Sequence, residues 1–215
     1  MTKEWLHQIN ILIHVVAGCI TLLLGVYILV TSKGTTLHRN AGRIFLTALS
    51  VVIFTSLAGF FLFKLSLFLF IISLISGYEA WSGYRVIKNK ETGPGVLDHL
   101  VSILVLVSGI VFHLYFRTSK PNWSPVIVYS TLIWLYVLCT YDLLRFLVKL
   151  NFQKKIYVYE HIVKVVGAFA AICSAFLGTV LPNYQPYSQV GPSAFGFILI
   201  IGLSYRYSQK GKPGI

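Results

Sequence analysis

The sequence predicts an all-α, polytopic transmembrane bundle of seven helical spans, with the N-terminus outside and the C-terminus cytoplasmic. Three observations carry that prediction. Of 215 residues, 56% are hydrophobic and 11% charged, against about 25% charged in a soluble domain. The apolar residues fall in continuous runs, and a bilayer crossing takes ~20 of them. Lysine and arginine gather on one side of those runs. Once the spans are subtracted no length remains for a separate globular domain, so residues 1–215 are read as a single transmembrane domain.

The first span covers residues 8–30 and is interrupted mainly by Asn10, His14 and Thr21. Its apolar run is too long for a signal-peptide core and no small-residue cleavage site follows, so it is expected to stay as a span. The basic turn K-G-T-T-L-H-R-N-A-G-R, residues 33–43, leads into the second span, 39–62. A very short turn at Lys64 precedes the third, 65–87. The link K-N-K-E-T-G-P-G has the glycine and proline of a loop and opens onto the fourth, 96–116. R-T-S-K-P-N-W-S-P separates it from the fifth, 126–148, and N-F-Q-K-K separates that from the sixth, 157–181. A proline- and tyrosine-rich loop leads to the seventh, 191–207, and a polar tail follows. The runs are continuously apolar rather than alternating, which argues against the strands of a membrane barrel.

Orientation follows from counting lysine and arginine. Lys33, Arg39, Arg43, Arg85, Lys88, Lys90, Arg145, Lys149, Lys154, Lys155, Lys164, Arg206, Lys210 and Lys212 make fourteen on one side, and Lys3, Lys64, Arg117 and Lys120 make four on the other. The positive-inside rule puts the fourteen in the cytoplasm. The same loop charges account for the net charge of +12, so nucleic acid is not expected as a partner. Cys19, Cys139 and Cys173 lie in apolar runs without a C-x-x-C spacing and read as small hydrophobes. Absent are a lysine in the seventh span for a retinal Schiff base, His-box clusters, H-E-x-x-H, G-x-S-x-G and a P-loop.

Ionisable groups inside spans are costly and become the candidate functional residues. Towards the cytoplasmic ends these are His38 and Arg39, Tyr78, Glu79, Tyr84 and Arg85, Asp98 and His99, Tyr141, Asp142 and Arg145, and Glu160, His161 and Lys164. Arg145, three residues beyond Asp142, is its local partner by spacing, and Glu160 with Lys164 forms an i, i+4 pair. The bland reading makes the basic groups snorkelling anchors. In the outer half stand His14 and His113. His99 and His113 are fourteen apart, ~21 Å of helical rise on nearly one face, a spacing that could offer ligands to two stacked haems. No second helix repeats it.

The motifs H-V-V-A-G-x-x-T-L-L-L-G from His14, K-G-x-x-x-H-R-x-x-G-R-I-F from Lys33, G-Y-R ending at Arg85 and H-I-x-K-V-x-G-A-F-A-A-x-x-S-A-F-L from His161 run through nearly the whole chain. Together with Asp98 and Asp142 they resemble an uncharacterised bacterial membrane family, catalogued as domain of unknown function 2306. The resemblance implies a compact all-helical protein of the bacterial inner (plasma) membrane. Its shared polar positions would be His14, His38, Arg39, Asp98, Asp142 and His161. Val165 stands where the family commonly has methionine, and His99 and His113 lie outside the pattern. No activity comes with it.

Three functional readings follow. In the first, the protein is a haem- or metal-binding redox or electron-transfer protein, with haem b as the cofactor. His38 and His161 are then the metal ligands near the cytoplasmic face, and His14 serves an outer site or a quinone-type headgroup. Arg39 offsets propionate or carboxylate charge, and Asp98 or Asp142 orients an imidazole. Arg145, Tyr84 and Arg85 complete a supporting polar network, and spans one, two, five and six surround the site. In the second, the same groups make a pH-sensitive small-solute or ion transporter or sensor. In the third, they are a structural His/Asp/Arg network in a membrane scaffold. The partners expected are the lipid bilayer and a quinone or redox partner, and surface glycines leave room for a homodimer.

Overall fold

A computed structural model describes residues 3–63, 67–119, 123–147 and 156–209. Among these residues the chain is all-helical: α1 (Lys3–Val30), α2 (Thr36–Phe63), α3 (Leu67–Lys88), α4 (Val96–Ser119), α5 (Pro125–Leu147), α6 (Ile156–Val180) and α7 (Tyr187–Gln209), with a single 3-10 turn at Pro182–Tyr184. Six of them, all but α3, are long and apolar enough to cross a membrane. The helix interior satisfies every backbone polar group, which is what lipid demands. The expected loop charges Lys64, Lys120, Lys149, Lys154, Lys155, Lys210 and Lys212 lie outside the described residues.

The chain forms two compact units, Met1–Gly77 and Tyr78–Ile215. In the first, α1 packs on α2. The inward stripe of α1 continues through Ala17, Thr21, Gly25 and Ile28, and steps of three and four backwards reach His14 and Asn10. Both meet α2 at Thr55: His14 Nδ1 lies 2.9 Å from Thr55 Oγ1 and Asn10 Nδ2 donates to the Thr55 carbonyl at 3.1 Å. Thr55 spends its own hydrogen on the carbonyls of Val51 and Val52, so the His14 nitrogen is the donor. The opposite side of α1 shows lipid-type side chains such as Leu12 and Leu23.

The turn before α2 needs Gly34, whose φ of +80° suits a residue without Cβ. Thr35 then caps the helix, its hydroxyl accepting the His38 N–H at 3.2 Å. Arg39 is exposed and donates to the Gly34 carbonyl and the Thr36 hydroxyl. Lys33 reaches back to the carbonyls of Ile28 and Leu29 at the end of α1.

In the second unit α4 packs on α5 and α6 on α7. The core face of α5 is Val128, Leu132, Leu135 and Cys139, each 1% exposed or less. The next step of that repeat is Asp142. On α4 the buried set is Ser102, Val105, Gly109, Phe112 and Phe116, and one step before it is Asp98. Each acid therefore continues an apolar stripe, and the period of 3.6 turns it inward. Residues 78–88 of α3 approach α6 closely at two glycines. A Cβ at Gly83 would come within 2.9 Å of Val165 and 3.1 Å of the Lys164 Cβ, and one at Gly167 would meet the Glu79 carboxyl. Small residues permit such contact between helices in lipid.

Candidate functional site: a buried polar network across four helices

Residues of α3, α4, α5 and α6 in the unit Tyr78–Ile215 converge on one network. Its centre is Lys164, whose ammonium donates to Asp142 Oδ1 at 2.7 Å and Oδ2 at 2.8 Å. The two side chains are 4% and 12% exposed. The Tyr78 hydroxyl donates to Asp142 Oδ2 at 2.5 Å and lies 2.7 Å from Ser102 Oγ. Ser102 in turn is 2.8 Å from the Asp98 carbonyl.

Counting hydrogens along this chain is informative. Carbonyl and carboxylate oxygens only accept, and each hydroxyl supplies one hydrogen. Three contacts (Asp142 to Tyr78, Tyr78 to Ser102, Ser102 to the Asp98 carbonyl) therefore share two hydroxyl hydrogens while Asp142 is ionised. A proton on Asp142 Oδ2 would donate to Tyr78, turn Tyr78 towards Ser102 and fill all three contacts.

A second group joins α5 to α6. Glu160 accepts from the Tyr141 hydroxyl and from the Arg145 guanidinium. A third closes the α3–α4 end: Arg85 Nε and Nη2 hold Asp98 Oδ1 and Oδ2 at 2.7 and 2.8 Å, a bidentate fork. Asp98 also accepts the Gly95 N–H at 2.8 Å. Gly95 precedes α4 and Asp98 lies three residues on, so this is the acidic half of a capping box. Arg85 further lies 5.6 Å above the Trp81 ring. Between the first and third groups is a cavity of about 30 Å³, bordered among others by Arg85, Asp98, His99, Ser102, Asp142 and Lys164. It has room for a water or two.

Several expectations are corrected here. Asp142 pairs with Lys164 rather than with the local Arg145, and Glu160 takes Arg145 and Tyr141 in place of Lys164. Local spacing favours the first pairings, but the α5–α6 contact lets each cation meet an acid on the other helix. Lys164 is a buried partner, not a cytoplasmic loop charge. Tyr84 is 44% exposed and makes no hydrogen bond among the described residues, so it stands outside the network. α3 and α4, left out of the expected set of surrounding helices, supply Tyr78, Arg85, Asp98 and Ser102. Asp98 and Asp142 each hold a cation, Arg85 and Lys164.

The histidines are distributed differently. His14, His38 and Arg39 belong to the unit Met1–Gly77, and His161, Asp98, Asp142, Arg85 and Arg145 to Tyr78–Ile215. His161 Nδ1 lies 3.0 Å from the Gly83 carbonyl. A carbonyl cannot donate, so Nδ1 carries the hydrogen. His113 sets its ring edge-on to Tyr129 at 5.9 Å. Among the described residues no three His, Cys, Asp or Glu side chains are grouped to hold a metal ion.

Sequence reasoning missed Ser102 and Trp134. Ser102 is on the α4 stripe one turn after Asp98, a spacing that marks it. Trp134, which donates to Glu79 at 2.6 Å, falls outside the α5 stripe and offers no comparable signal.

Among the described residues the architecture is all-helical, with six helices long and apolar enough to cross a membrane and a hydrogen-bonded ion-pair network. No protein-family model, curated protein or solved structure matches this chain.

Proposed function

We propose that this is a bacterial inner-membrane protein with seven spans, N-terminus outside and C-terminus cytoplasmic, working as a proton-responsive transporter or sensor for a small solute or ion. Asp142, held by Lys164 and Tyr78, lies at the centre of its network. One observation carries the reading: the chain Asp142–Tyr78–Ser102 is one hydrogen short when Asp142 is ionised and complete when it is protonated. Proton relays in membranes are built from such intramembrane acids and their partners. The groups around Asp142 are Tyr78 on α3, Lys164 and Glu160 on α6, Cys139, Tyr141 and Arg145 on α5, and Asp98 beyond Ser102 on α4. The resemblance of its motifs to an uncharacterised bacterial membrane family is what suggests the compartment.

Solute and ion flux in liposomes holding the purified protein, measured with and without an imposed pH gradient, tests this reading. A flux that depends on the gradient and is lost in Asp142→Asn is expected. A wild type without any such flux, or an Asp142→Asn variant that retains it, overturns the proposal.

The redox reading retains one observation in its favour. A ligating histidine commonly gives its other ring N–H to a carbonyl, and His161 does so with Gly83. Spectra of the oxidised and dithionite-reduced protein, with elemental analysis, decide it. Haem bands lost in both His161→Ala and His38→Ala would establish it, and a colourless, metal-free protein would end it.

A further inference from the structure

Three cations, the buried Lys164 and the half-buried Arg85 and Arg145, meet three acids, Asp142, Asp98 and Glu160. Glu79 is a further acid among these helices and has no cation within ion-pair distance among the described residues. It is 1% exposed. Its Oε1 accepts one hydrogen bond, from Trp134 Nε1 at 2.6 Å, and its Oε2 is buried without a hydrogen-bond partner. The α6 backbone closes over it at Gly167, where a methyl group would land 2.3 Å from Oε1. The charge facing it is that of Lys164, one turn before Gly167 on α6, and both its contacts go to Asp142. An unpaired carboxylate in such a place costs far more than one that keeps its proton.

We infer that Glu79 is held as an uncharged carboxylic acid, a proton-holding site distinct from the Asp142 chain.

The test uses full-length protein in detergent. Infrared difference spectra of wild type against Glu79→Gln at neutral pH are expected to show a carboxylic-acid C=O stretch that moves on deuteration and is lost in the variant. The same band is expected to persist in Asp142→Asn and Glu160→Gln. Should Glu79→Gln fail to fold, Glu79→Asp serves in its place, with a shifted rather than absent band. A band that survives in Glu79→Gln, absence of any acid band in wild type, or loss of the band in Asp142→Asn or Glu160→Gln instead overturns the inference. Flux through the protein is a separate measurement, so either reading can fail without the other.

Discussion

The Lys164 ammonium sits 2.7 and 2.8 Å from the two carboxylate oxygens of Asp142, across the contact between α6 and α5. The two side chains are only 4% and 12% exposed. Removing one partner leaves the other as an uncompensated buried charge, which costs about 3–5 kcal/mol. Lys164→Met and Asp142→Leu alone are therefore expected to lower the midpoint of thermal unfolding in detergent markedly. Made together they should recover most of it, since an apolar pair of similar volume is often neutral or stabilising. A double variant as unstable as the sum of the singles would show that the pair is not an isolated unit.

Gly167 is the place where α6 makes room for the Glu79 carboxyl. Gly167→Ala inserts a methyl group into that contact and is expected to cost about 1–3 kcal/mol, as overpacking does. In a Glu79→Ala background the same change should cost clearly less. A double-mutant cycle of unfolding midpoints reads the difference directly, and equal costs in both backgrounds would refute the contact.

Asp98 both caps α4 through the Gly95 N–H and holds Arg85. Asp98→Ala loses the cap and frees a partly buried guanidinium, a loss of roughly 2 kcal/mol. Asp98→Asn keeps an acceptor for the cap and should cost noticeably less. The order of the two unfolding midpoints checks the assignment.

α3 decides the topology. Its C-terminal half carries Tyr78, Glu79, Ser82 and Arg85, and it is not among the six helices that qualify as spans by length and composition. If it crosses, the two ends of the chain lie on opposite sides. An alkaline phosphatase fusion at the C-terminus is then expected to be inactive, and a cysteine placed at Lys3 to react with an impermeant maleimide from outside. Both reporters on one side would leave six spans.

Much of this was legible beforehand. The steps of three and four that carry Val128, Leu132, Leu135 and Cys139 reach Asp142, and those from Phe116 back to Ser102 reach Asp98. Depth and facing of both acids are thus a matter of counting along one helix. The pairings were not legible, because they depend on distances between helices. Those distances are set where α3 meets α6 at Gly83 and Gly167, and these two glycines look no different in the sequence from Gly18 or Gly202, which border open space. Arg145 and Lys164 each had an acid at helical spacing, so local rules favoured the wrong partner for both. His161 stood out in the sequence, but its tie to the Gly83 carbonyl belongs to the same glycine contact.

Asp98 and Asp142 occupy slots whose neighbours up and down the stripe are aliphatic, aromatic or small. Leucine in either slot would prolong the hydrophobic seam without altering the register of a helix. The scaffold is therefore separable from its chemistry: the bundle could persist with its charges erased. Function can be interrogated by erasing an acid and its cation together, which leaves the frame intact.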